Sequence, residues 1–68
     1  MTIFKKITEA TLLIEKDIIE NKRYGYDIVN SLFDGVEKVF SNIPKRNEDI
    51  IMMRICDNLE KKGISFSF

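Results

Sequence analysis

A compact three-helix domain, mainly α, with a short strand-like C-terminal tail and a dimeric state, is what this chain's apolar periodicity leads to. Three observations carry that expectation. Apolar residues recur at helical spacing over three successive stretches, the last six residues switch to alternation with serine, and only 68 residues are available to bury them all. A chain of this length forms one domain, residues 1–68, because a second core would have nothing left to bury.

The first helix is expected from Thr2 to Arg23, with Thr2 as its cap and Lys22, Arg23 and Gly25 closing the carboxyl end. Ile3, Phe4, Ile7, Ala10, Ile14 and Ile18 fall on one stripe, which reads as core. Leu12 and Ile19 share a flank well away from that stripe, and Leu13 widens the apolar surface on the other side. A helix apolar over more than one face needs more cover than a short chain provides.

The second helix places Ile28, Val29, Leu32, Phe33, Val36, Val39, Phe40 and Ile43 on one arc and Asn30, Asp34, Glu37, Lys38 and Ser41 on the other. Asp27 is its expected cap and Pro44 its stop. Gly35 sits inside this helix at the border of the apolar arc. It costs about 1 kcal/mol against Ala there, which points to a close approach between helices or to a contact with a partner backbone.

The third helix follows a turn at Pro44-Lys45-Arg46, with Asn47 as cap and Glu48 and Asp49 in the first turn, where the helix dipole favours negative charge. Its inner face is Ile51, Met52, Ile55, Cys56 and Leu59, and Lys61-Lys62-Gly63 forms the stop. Ile50 and Met53 point away from that face. Beyond Gly63, the run Ile64-Ser65-Phe66-Ser67-Phe68 has the period of a half-buried strand, which needs a ladder partner, a second copy's strand for example, unless the phenylalanines simply plug the bundle.

Composition narrows the chemistry. Histidine is absent and Cys56 is the only cysteine, so zinc binding, internal disulfides and the commonest acid-base and nucleophilic arrangements have no residues to build them. The three glycines are isolated and follow no phosphate-loop spacing. No catalytic, metal or cofactor site is expected, and the lone thiol reads as a small buried side chain. Eleven basic residues balance eleven acidic ones, so no net charge draws the molecule toward nucleic acid or anionic lipid. The first residues lack a secretory pattern and no apolar run is long enough to span a membrane, so a cytoplasmic setting is expected.

A domain this small, with neither disulfide nor metal, gains its missing stability by oligomerisation or by binding. The expected function is therefore that of a small non-enzymatic protein-binding regulator or inhibitor, acting as a homodimer, on a larger protein, or both. Eleven Ile against four Leu suggest an AT-rich genome, compatible with a phage or mobile-element origin. The residues expected at the interface are Leu12, Ile19, Ile50, Met53, Ile64, Phe66 and Phe68.

Basic doublets recur at Lys5-Lys6, Lys22-Arg23, Lys45-Arg46 and Lys61-Lys62, mostly at helix carboxyl ends, where cations favour the dipole. Beside them, Tyr24-Gly25-Tyr26-Asp27-Ile28, followed downstream by Leu59-Glu60-Lys61-Lys62-Gly63-Ile64, resembles the two local motifs of PadR-type winged-helix repressors. The resemblance is confined to those stretches. The aromatic and Pro segment that precedes the second motif in that family, and the β-hairpin wing that follows it, have no counterpart here. What it implies is an alternative function, a helix-turn-helix reader of DNA. Its third helix would enter the groove with Arg54, Asn58 and Lys61 on the outward face, and Lys45 and Arg46 would be further contacts.

Overall fold

A computed structural model of the chain describes residues 3–41 and 45–66, with the side chains of 3–41 and 47–66. Three helices account for most of them: α1 (Ile3–Glu20), α2 (Tyr26–Val39) and α3 (Lys45–Lys61). Asp17 of α1 meets Ser31 of α2, Ile14 meets Gly35, and Lys6 lies over the Phe40 ring, so α1 and α2 run antiparallel. Phe4 meets Arg54 and Glu15 meets Lys62, so α1 and α3 run in the same direction. Both later helices pack on α1 and scarcely on one another.

The core follows the helical period. Ile7, Ala10, Ile14 and Ile18 from α1, Ile28, Leu32 and Val36 from α2, and Ile51, Ile55 and Leu59 from α3 are buried together. Met52 and Cys56 pack against this cluster from the border of the α3 face, as expected. Gly35 is buried, and a Cβ built on it would overlap Cγ1 of Ile14. The glycine therefore lets α2 close on α1, the packing explanation for its place inside a helix. Thr11, buried within the α1 face, donates its Oγ1 hydroxyl to the Ile7 carbonyl at 2.7 Å.

Helix ends depart from the expected boundaries in instructive ways. At the end of α1 the Arg23 amide donates to the Ile18 carbonyl at 3.0 Å, and Lys22 takes the left-handed conformation at φ 50°. At the end of α3 the same pattern recurs with Gly63 at φ 91°, where the Ile64 amide donates to Leu59 and the Gly63 amide to Glu60, both at 3.0 Å. Both are Schellman closures, one with glycine at the left-handed position and one with lysine. Asp27 does not cap α2, because the helix already begins at Tyr26 and Gly25, at φ 61°, occupies the cap position without a side-chain bond. Asp27 instead places its charge in the first turn.

α2 stops at Val39, short of the expected Pro44. Phe40 turns to extended backbone, keeping one bond from its amide to the Val36 carbonyl at 2.8 Å, and its side chain packs back against the core. α3 begins at Lys45 rather than after an Asn47 cap, since Lys and Arg are good helix formers that let the helix extend backward. The expected positions of Thr2 as cap and of Ile43 and Pro44 lie outside the described residues.

Four side chains assigned to the core by period are not in it; one, Val29, is half-buried on α2 outside the core cluster. Ile3 and Phe4 are exposed because they stand at the end of α1 beyond Lys6, the residue facing the end of α2 at Phe40. Phe33 is exposed because it lies on the side of α2 turned from α1, where α3 scarcely reaches it. The C-terminal tail forms no strand among the described residues. Ile64 and Phe66 pack against the core and Ser65 faces solvent, so the alternation is one of burial, not of ladder pairing. Ser67 and Phe68 lie outside the described residues.

Candidate interaction surface

The two seams of the bundle carry different chemistry. On the α1–α2 side, Asp17 accepts hydrogen bonds from the Ser31 hydroxyl, from Nε of Arg23 at 2.9 Å and from Nδ2 of Asn21 at 2.7 Å. These bonds, led by Ser31, hold its carboxyl below the ordinary carboxylate range against the opposing pull of desolvation. The small polar cleft around it, about 180 Å³, is lined further by Asp34 and Lys38. Asp17, bonded to Ser31, Arg23 and Asn21, ties the end of α1 to α2.

The α1–α3 side is unfinished at its rim. Between the helices lies a shallow groove of about 250 Å³ lined by Thr8, Thr11, Leu12, Asn58, Lys61 and Lys62. One end is marked by Phe4, whose ring lies 5.6 Å from the Arg54 guanidinium, a cation–π contact. At the other end Lys62 pairs with Glu15 at 3.3 Å. Leu12 stands in the wall of this groove with 52% of its surface exposed, and Ile19, two turns on along the same flank of α1, is 64% exposed. Among the described residues Glu15 is the only carboxylate engaged there, and Lys62 already holds it.

A second apolar area occupies the other flank of α3, where Met52, Met53 and Cys56 lie between Asp49 and Asp57. Met53 is 67% exposed and Ile50, beside it, 60%. Burial pushes the Cys56 thiol up from its usual pKa, and Glu60 and Asp57 add to the shift, so it stays a neutral thiol and a poor nucleophile. Among the described residues no group of three potential ligands gathers to hold a metal ion, and no helix is long and apolar enough to cross a membrane.

The structure thus leaves Leu12, Ile19, Ile50 and Met53 at the surface, while Ile64 and Phe66 are turned toward the chain's own core. Both are half-buried against it, the plugging alternative for the tail, which follows the Schellman turn at Gly63. Phe68 lies outside the described residues, as do the side chains of Lys45 and Arg46. Arg54, Asn58 and Lys61 share the flank of α3 beside α1, where Arg54 and Lys61 are exposed and Asn58 is half-buried. Sequence reasoning missed Tyr24 and Tyr26, both 79% exposed around Gly25, and the Asp17 hub. A signal for the hub was present: Ser31 falls on the inner arc of α2 between Ile28 and Gly35, where a polar side chain needs a partner.

Comparison with known proteins finds no family model, no curated protein and no solved structure that matches this chain.

Proposed function

We propose that this protein is a small non-enzymatic binding module that regulates or inhibits by docking on protein, using the apolar edge between α1 and α3. The observation that carries the reading is the exposure of Leu12 and Ile19 along one flank of a helix that both other helices already use for packing. Scattered exposed apolar residues are ordinary, whereas apolar side chains sharing a flank beside a groove are typical of contact surfaces. The cationic rim at Arg54 and Lys61 adds orientation more than affinity, and it favours a partner surface that carries carboxylates. A second copy and a larger protein are both partners of that kind, and the dimeric state expected from sequence is one form of this reading.

A photo-crosslinking side chain placed at position 12 or 19 tests the proposal in cells. Protein adducts are expected at both positions and not at the exposed position 37 on α2. Equal yields at the three positions, or none, would contradict it. Salt-sensitive retention of the purified protein on duplex DNA, abolished by Arg54→Ala with Lys61→Ala, would instead support the DNA-reading alternative.

A further inference from the structure

The two open surfaces match one another. The α1–α3 edge offers Leu12 and Ile19 beside the cations Lys61 and Lys62, and the far flank of α3 offers Met52, Met53 and Cys56 between the anions Asp49 and Asp57. Both are apolar at the centre, and their charged borders are opposite in sign. At about 100° per residue, the flank of Arg54, Asn58 and Lys61 is centred more than about 90° around α3 from the flank of Asp49, Met53 and Cys56. One molecule cannot bring the two together.

We infer that each surface is covered by the other on a second copy of this chain, with Leu12 of one molecule seated among Met52, Met53 and Cys56 of the next and the lysines of the edge facing Asp49 and Asp57. Methionine suits the receiving side, because its unbranched thioether adapts to an incoming side chain. Opposite charges at the border fix the register and oppose the alternative in which like surfaces meet. The contact is heterologous: it joins two different surfaces, so every added molecule leaves one of each kind free. Assembly therefore grows with concentration unless it closes into a ring, of which reciprocal edge-on-flank pairing about a two-fold axis is the smallest. The inference rests on the reading of these edges as protein-binding surfaces and names their partner.

Two sets of substitutions separate the surfaces. Leu12→Asp, and independently Lys61→Glu, disable the edge; Met53→Lys with Asp57→Lys disables the flank. All of these residues are exposed, and circular dichroism checks that each variant keeps its helices. Sedimentation equilibrium of the unaltered protein is expected to give a mass that rises with concentration above the 8.0 kDa chain and falls with added salt. Each disabled variant alone is expected to stay at the chain mass, and an equimolar mixture of an edge variant with the flank variant to settle at twice that mass, since only one productive contact remains. A monomeric unaltered protein up to millimolar concentration, variants that still assemble alone, or a mixture that stays monomeric would each overturn the inference. Should the protein be monomeric while position 12 still crosslinks to another protein, self-docking falls and the binding function stands.

Discussion

The seam between α1 and α2 and the seam between α1 and α3 share the same central helix but are finished differently. The first is closed: Gly35 admits Ile14 at backbone distance, and Asp17 gathers Ser31, Arg23 and Asn21 at its polar margin. The second is closed only inside, by Ile51, Ile55 and Leu59, and open at its rim, where Leu12 stands between Thr8 and Lys61. In the first, the Asp17 carboxylate at the margin has its partners within the chain. In the second, Leu12 and Lys61 stand exposed beside the pairs Arg54–Phe4 and Lys62–Glu15. In the proposed reading the closed seam serves folding alone, and the edge beside α3 also serves binding.

Substitutions at the closed seam sharpen that contrast most. Gly35→Ala pushes a methyl group into Ile14, and overpacking of this kind costs about 1–3 kcal/mol, more than the gain in helix propensity returns. Chemical denaturation should show it as a lower midpoint with an unchanged slope. An unchanged midpoint would mean that the two helices are not held in tight contact.

Removing the polar margin has a smaller effect. Asp17→Asn weakens bonds to a charged acceptor that is partly exposed, and a loss of about 1 kcal/mol is expected at neutral pH. Because the carboxyl of Asp17 lies below its ordinary range in the folded chain, its contribution is present above the ordinary carboxylate pKa and fades as pH falls through the lowered value. Melting curves of the two proteins should thus differ at pH 7 and converge in acid. A gap that widens on acidification would contradict the hub.

The closure of α1 offers a gain instead. Lys22 holds a left-handed conformation that Gly63 holds without strain at the matching place in α3, so Lys22→Gly should raise stability by about 0.5–1 kcal/mol, read as a higher melting temperature. Smallest of all is the expected effect of Leu12→Asp on folding, within about 0.5 kcal/mol, since the side chain is half in solvent already. A large loss of stability there would move Leu12 into the folding core and erase the distinction between the seams.

Much of this was legible in the chain itself. Period alone located Ile7, Ile14, Ile18, Leu32, Val36, Ile55 and Leu59 in one core and left Leu12, Ile19, Ile50 and Met53 outside it. It failed where burial depends on what stands opposite. Phe4 and Phe33 obey the period yet stay exposed, Phe4 beside the Arg54 side chain at the rim of α3 and Phe33 on the side of α2 turned from α1, and that is a property of the packing, not of either segment. The tail shows a related limit: alternation with serine is satisfied by packing Ile64 and Phe66 on the bundle as well as by a strand, and the turn at Gly63 selects the former. The groove could not be foreseen either, because residues of α1 and α3 that form it are about fifty positions apart and meet only through the parallel pairing of the two helices.

Amide chemical shifts followed from micromolar to millimolar protein test the division of labour between the seams most directly. Concentration-dependent shifts are predicted at Thr8, Leu12, Ile19 and Lys61 and at Asp49, Met53 and Asp57, with Asp17, Ser31 and Gly35 unmoved. Shifts centred on the closed seam, or none anywhere over that range, would contradict it.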